Sequence, residues 1–241
     1  MWFDPDAVQF IVDAVPEWSI LLVFLFSYLG SIYVIGSGVI LACLVDRSKI
    51  PLFPAAIIGA YGLFVGLKPL FGIPRPPVSP PMTAEALPAI GIPLYERAIS
   101  FSTGSFPSGH AVAATVFWGF LAFESSVSTV RRRLMVCVGL VFLICLSRVA
   151  LGIHYLGDIV GGVMLGGLVL GVGLIVRKRV RNPYWVLVIV GGFPAGSGLF
   201  TGRPADATLL ISALLVTGIA TKVFHRRSVQ RKHEQVSTRA D

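Results

Sequence analysis

Residues 147–158 read Ser-Arg-Val-Ala-Leu-Gly-Ile-His-Tyr-Leu-Gly-Asp, which sets Arg148, His154 and Asp158 in a stretch apolar enough to lie in a membrane. Ionisable groups at that depth are costly and mark a functional site by default. Asp158 follows His154 by four residues, and positions i and i+4 share one helix face. A carboxylate there holds the imidazole in one tautomer and leaves its other nitrogen free to attack. Arg148 supplies a fixed cation for an anionic substrate. Two more clusters belong with this one: Lys68-Pro-Leu-Phe-Gly-Ile-Pro-Arg75-Pro76 at the end of one apolar run, and Phe106-Pro107-Ser108-Gly109-His110 at the start of the next.

Together these groups suit phosphoryl transfer. Lys68, Arg75 and Arg148 form a cationic trio, and arginine pairs bidentately with phosphate oxygens. Ser108 and Gly109 stand at an expected helix start, where backbone N–H groups bind anions and glycine lets the substrate approach closely. Pro107 suits a position just before or at such a start. His154 is the candidate nucleophile, giving a phosphohistidine, and His110 the group that protonates the leaving oxygen and then activates water. The cations and amides meet the charge on the equatorial oxygens, where most of the catalysis lies. No carboxylate cluster is present to hold Mg²⁺, so the expected reaction uses no metal and no cofactor.

The three clusters resemble the signature of the type 2 phosphatidate phosphatase superfamily, which includes lipid phosphate phosphatases, glucose-6-phosphatases and vanadium haloperoxidases. Its pattern is K-x6-R-P, then P-S-G-H, then S-R-x5-H-x3-D. Lys68, Arg75, Pro76, Pro107, Ser108, Gly109, His110, Ser147, Arg148, His154 and Asp158 fill every position, over about residues 68–158. The outer segments resemble the family only in being hydrophobic. The resemblance implies a helical catalytic core and the same roles: His154 as nucleophile, Asp158 as its partner, His110 as general acid, and Lys68, Arg75, Ser108, Gly109 and Arg148 as phosphate ligands.

Plainer readings apply elsewhere. A lone histidine or aspartate in a membrane is as often a helix–helix hydrogen-bond partner as a catalyst, and Lys68 and Arg75 alone would read as snorkelling residues. Glu85, Glu96, Arg97 and Arg203 read as solvated loop charges. Tyr155 and the four tryptophans (Trp2, Trp18, Trp118 and Trp185) read as interface or packing aromatics. Gly157, Gly161, Gly162, Gly166, Gly167 and Gly171 have the small-xxx-small spacing of close helix contacts. His225 and His233 belong to the basic tail.

The elements that must position these residues are membrane helices. Of the 241 residues, 55% are hydrophobic and 13% charged, with a mean hydropathy of +0.81. That excludes an ordinary soluble domain and predicts an all-α, polytopic transmembrane bundle. Apolar segments fall at about 18–45, 51–72, 108–125, 134–153, 155–176, 184–200 and 206–224. A span needs roughly 20 apolar residues, so six or seven spans are expected, 184–200 being weakened by its glycines and Pro194. Residues 6–15 read as a short interfacial helix. Cys43, Cys137 and Cys145 lie in apolar runs without metal-ligand spacing and read as packing residues. The acidic N-terminus lacks the basic start of a signal peptide, so the first apolar segment reads as an uncleaved anchor.

The net charge is +8, and its distribution carries the topology. Arg47, Lys49, Arg131–Arg133, Arg177–Arg179, Arg181, Lys222 and the tail hold fifteen of the twenty basic residues in alternate loops. The positive-inside rule puts these in the cytoplasm and the three clusters on the opposite side. The basic excess is then topogenic and lipid-facing, with no nucleic-acid partner. The Pro-rich loop 73–106 reads as a partial lid. The chain divides into one membrane domain, 1–224, with a catalytic core of about 51–176, and a basic cytoplasmic tail, 225–241, expected to be disordered.

The expected function is hydrolysis of a membrane lipid phosphate or diphosphate. A polyprenyl carrier (undecaprenyl or dolichyl type) is favoured, because an outward-facing site is where such a carrier is released. Phosphatidate and phosphatidylglycerol phosphate are the rivals, as is a lipid phosphotransferase that passes the phosphoryl group to a hydroxyl. A non-enzymatic phosphate- or lipid-binding protein fits poorly with the full His110, His154 and Asp158 set.

Overall fold

The computed structural model describes residues 2–82, 91–99, 103–180, 182–200 and 204–237, and among them it holds helices and no strand. The helices are α1 (Pro5–Asp13), α2 (Ile20–Leu29), α3 (Ile32–Val45), α4 (Phe53–Phe71), α5 (Ile92–Ile99), α6 (Gly109–Glu124), α7 (Val130–Ala150), α8 (Leu156–Arg179), α9 (Pro183–Val186), α10 (Phe193–Phe200) and α11 (Pro204–Ser237).

Helix α6 is the centre of the bundle, packed against α7, α8, α4 and α3. Its inward residues are small or flat: Ala111, Val112, Ala113, Ala114, Val116, Phe117 and Phe120 are all buried. In a bilayer, lipid competes equally for apolar surface, so helices associate by close packing. Helix α8 meets α6 with glycine. A Cβ on Gly162 would lie 2.8 Å from the Ala111 Cβ and the Ser108 carbonyl, and one on Gly166 would lie 2.8 Å from the Thr115 Cβ and the Val112 carbonyl. The small-residue spacing is thus a helix seam at these two positions. Gly167 and Gly171 face open space instead.

Among the described residues, four helical stretches are long and apolar enough to cross a membrane: Arg47–Phe71, Val130–Ala150, Leu156–Arg179 and Ala205–His225. The α1 and Glu17–Leu29 pair, bent by 95°, makes a fifth if it counts as one span. Six or seven spans are expected from the sequence; four or five of the described helices meet that length and composition, and Ile32–Val45 and Tyr184–Gly196 are shorter apolar helices. The apolar runs are interrupted. Residues 18–45 break at Gly30–Ser31, where the Ser31 hydroxyl accepts the Val34 N–H and starts a new helix. Helix α6 has 16 residues. Residues 184–200 are divided by a π-helical turn, Leu187–Gly192, and settle by backbone packing on α4.

Two other expectations meet the structure. The short N-terminal helix exists as α1; Val8 and Val12 are buried against Val149 and Tyr155, while Phe10 faces outward. Helix α11 runs through Ser237, into the stretch 225–241 expected to be a disordered tail. Residues 225–237 contain neither glycine nor proline and are rich in Arg, Lys, Gln and Glu, good helix formers that extend an existing helix at little cost. Residues 238–241 of the expected tail lie outside the described residues.

The ends of the bundle differ. At one end Lys49 bonds the Asp46 carboxylate at 2.9 Å and the Glu124 carbonyl at 3.2 Å, Glu124 pairs with Arg177, and Arg133 bonds the Ala122 carbonyl at 2.8 Å. At the other end lie the C-termini of α4 and α7 and the N-termini of α6 and α8. All three motif clusters sit there.

Candidate active site

Each motif residue is placed by a helix end. Helix α4 stops at Gly72, whose φ of +58° is a left-handed cap that glycine adopts without steric cost. Lys68, in the last turn, is buried and donates to the Gly104 carbonyl at 2.5 Å and the Ser105 carbonyl at 3.3 Å. The chain then runs extended through Arg75. The Arg75 Nε donates to the Thr103 carbonyl at 3.1 Å, and its Nη1 donates to the Ile153 carbonyl at 2.8 Å. The same Nη1 lies 3.5 Å from His154 Nε2.

Ser108 is the N-cap of α6 and is fully buried. Its hydroxyl accepts the Ala111 N–H at 3.5 Å, and its own N–H donates to the Asp158 carbonyl at 3.1 Å, which ties the start of α6 to the start of α8. A helix leaves its first amides without internal partners, so the Gly109 and His110 amides are the ones directed at an anion. Phe64 closes on Gly109, with its ring 3.0 Å from where a Cβ would stand. The His110 ring lies beside Gly30 at the α2–α3 break, its Cδ2 3.1 Å from that glycine's virtual Cβ.

Helix α7 ends two residues beyond Arg148, which lies in its last turn. Gly152, with φ +72°, reverses the chain, and the Ile153 N–H returns to the Arg148 carbonyl at 3.3 Å. This tight link presents His154 at the N-terminus of α8. His154 Nδ1 lies 2.9 Å from Asp158 Oδ2, and that same oxygen accepts the Tyr155 N–H at 2.9 Å. Both side chains are buried. With Nδ1–H donated to the carboxylate, the Nε2 lone pair faces Arg75. Burial, then the charges of Arg75, Arg148 and Lys68, hold the His154 pKa well below the ordinary 6.5, so the ring is neutral at neutral pH. Burial lowers Arg75 to about 10, against the opposing pull of Asp158, and leaves it a cation at neutral pH.

The structure therefore brings Lys68, Arg75, Ser108, Gly109, His110, Arg148, His154 and Asp158 to one end of the bundle. Arg148 is wholly buried; it bonds the Ser27 hydroxyl from α2 and lies 3.5 Å from the Ala98 carbonyl of α5. Ser147 bonds back to the Ile144 carbonyl at 2.6 Å within its own helix. Tyr155 turns its ring away, packing edge-on against Phe3. Glu96 is exposed; Glu85, Arg203 and the side chain of Arg97 lie outside the described residues. The expected lid is described in part: α5 docks through the buried Tyr95, which packs with Leu151 and Ile153 and donates to the Met82 carbonyl at 2.9 Å.

Two serines escaped the sequence reading. Ser105 is buried; its N–H donates to the Ile73 carbonyl at 2.8 Å and its hydroxyl to the Pro74 carbonyl at 3.0 Å, joining the extended segment before Arg75 to the loop that receives Lys68. Ser27 is 1% exposed in an otherwise apolar helix. A buried hydroxyl in such a run was the signal for Ser27; Ser105 had none.

Residues 51–182 match the family model of the PAP2 superfamily. Among solved structures, the first transmembrane PAP2 type phosphatidylglycerolphosphate phosphatase from Bacillus subtilis is similar, with a TM-score of 0.58 at 18% identity, over 74% of this chain and 86% of that one. No curated protein matches the chain. The matched stretch is more than half of the 241 residues and contains every residue of the three clusters, so this chain belongs to the PAP2 superfamily and has its membrane phosphatase fold.

Proposed function

We propose that the protein removes the terminal phosphate of a membrane lipid through a phosphohistidine at His154, without a metal ion. One observation carries the reading: His154 Nδ1 is held 2.9 Å from Asp158 while Nε2 is turned toward Arg75. The Nε2 lone pair forms a bond to phosphorus as the ester P–O bond breaks; His110, which burial and the neighbouring cations keep neutral at rest, takes up a proton with the incoming phosphate anion and gives it to the departing lipid oxygen. His110 then takes a proton from water, whose oxygen attacks phosphorus as the P–N bond breaks, returning the electron pair to His154 Nε2 and releasing inorganic phosphate. Lys68, Arg75, Arg148 and the first amides of α6 stabilise the charge on the equatorial oxygens.

The substrate reading has two candidates. The positive-inside rule, applied to the basic end of the bundle, turns the site away from the cytoplasm, which favours a polyprenyl mono- or diphosphate carrier. The similar solved structure is a phosphatidylglycerolphosphate phosphatase, which favours that lipid at least as strongly. The test is phosphate release by purified protein in detergent with EDTA, on both lipids and on phosphatidate, with His154→Ala beside it. Release that survives EDTA and disappears in the variant supports the mechanism, and the ranking of lipids selects the substrate. Equal turnover by His154→Ala overturns the covalent route.

A further inference from the structure

Helices α3 and α4 form an antiparallel pair that scarcely touches. Between them, closed on the third side by α11, lies a groove of about 590 Å³, at the end of the bundle opposite His154. Its walls include Ile40 and Leu44 of α3, Ile57 of α4, and Val216 and Ala220 of α11. Arg47 stands at its mouth, with the guanidinium 4.7 Å from the centroid of the Phe224 ring. The nearby acidic groups have other partners: Asp46 is bonded to Ser48 and Lys49, and Glu124 pairs with Arg177. Arg47 is exposed and pairs with no carboxylate among the described residues.

We infer that this groove is a binding site for an anionic phospholipid, with one acyl chain between the helices and the headgroup phosphate on Arg47. An apolar space of this size, open to the bilayer, excludes water and is filled by hydrocarbon. The groove follows α3 from Gly36 to Arg47, roughly 16 Å at the rise of an α-helix. That is close to half of the ~30 Å hydrocarbon core, so a chain lying in it brings its headgroup to the depth of Arg47. The guanidinium fork fits phosphate oxygens. A lipid of net negative charge is preferred over a zwitterionic one because the cationic part of a zwitterionic headgroup would sit against the exposed Arg47 guanidinium.

The test is native mass spectrometry of the full chain in detergent with equal phosphatidylglycerol and phosphatidylcholine. Phosphatidylglycerol is a diester with no terminal phosphate to release. The wild type is expected to retain phosphatidylglycerol about fivefold over phosphatidylcholine, and Arg47→Gln to abolish that preference. Gly36→Leu places a side chain where a Cβ meets nothing within 4 Å; it is expected to fill the groove and reduce retention of both lipids. Phosphate release from a short-chain ester stays within about twofold in both variants, since the groove lies at the far end of the bundle. Equal retention of the two lipids by wild type, or an unchanged preference in Arg47→Gln, overturns the proposal. If Gly36→Leu fails to fold, Arg47→Gln decides alone.

Discussion

The state of His154 is set by its neighbours more than by histidine itself. Burial and the Arg75 charge both oppose protonation, so the imidazole charges only below the usual 6.5. The acid limb of kcat/KM for a soluble phosphate ester is therefore expected below that pH. Removing the cation in Arg75→Ala lets the ring protonate more easily, so the limb moves to higher pH while the overall rate falls; a limb that stays put assigns it to another group. Arg148 presents a different case, because its orientation comes from Ser27 in α2, outside the matched family region. Ser27→Ala is expected to raise KM about ten- to a hundred-and-fiftyfold, the range for losing a hydrogen bond to a charged group. Ser27→Thr restores it if the hydroxyl is what matters, and restoration by Ser27→Val instead would reduce Ser27 to packing.

At the scale of elements, the seam between α6 and α8 holds Ser108 against the carbonyl of Asp158 and so fixes both halves of the site. Gly166→Leu drives a side chain into Thr115 and the Val112 backbone, whereas Gly167→Leu points into open space. The first is expected to lose about 1–3 kcal/mol to overpacking, read as a lower melting temperature in detergent, and the second to melt like the wild type. The same residues show how far the sequence could be read. Lys68, Arg75, His110, Arg148, His154 and Asp158 stood out because charge in apolar sequence is conspicuous. Their convergence followed from alternating helix directions. The break at Gly30–Ser31, the π-helical turn and the helical course of residues 225–237 did not stand out, because hydropathy reports burial and is insensitive to how a helix is interrupted or prolonged. Ser27 was hidden for a related reason: hydroxyls are common in membrane helices, and its partner Arg148 is 121 residues away.

For the whole molecule, the two ends of the bundle carry opposite assignments. Motif residues gather at one end, while Arg47, Lys49, Arg131–Arg133 and Arg177–Arg179 mark the other. If the basic end is cytoplasmic, headgroups reach His154 from the outer face. Single cysteines at exposed loop positions test this, placed in a chain whose Cys43, Cys137 and Cys145 are replaced by serine or alanine. Ser79 lies in the loop after Arg75, and Ser126 in the turn between α6 and α7, and both are exposed. A membrane-impermeant maleimide added to intact cells is expected to label Ser79→Cys at once and Ser126→Cys only after permeabilisation. The reverse pattern would turn the site toward the cytoplasm. It would remove the argument for a carrier lipid released on the outer face and leave phosphatidylglycerol phosphate as the stronger substrate. Because the label reads orientation and not turnover, the topology can fail while the phosphohistidine chemistry at His154 stands.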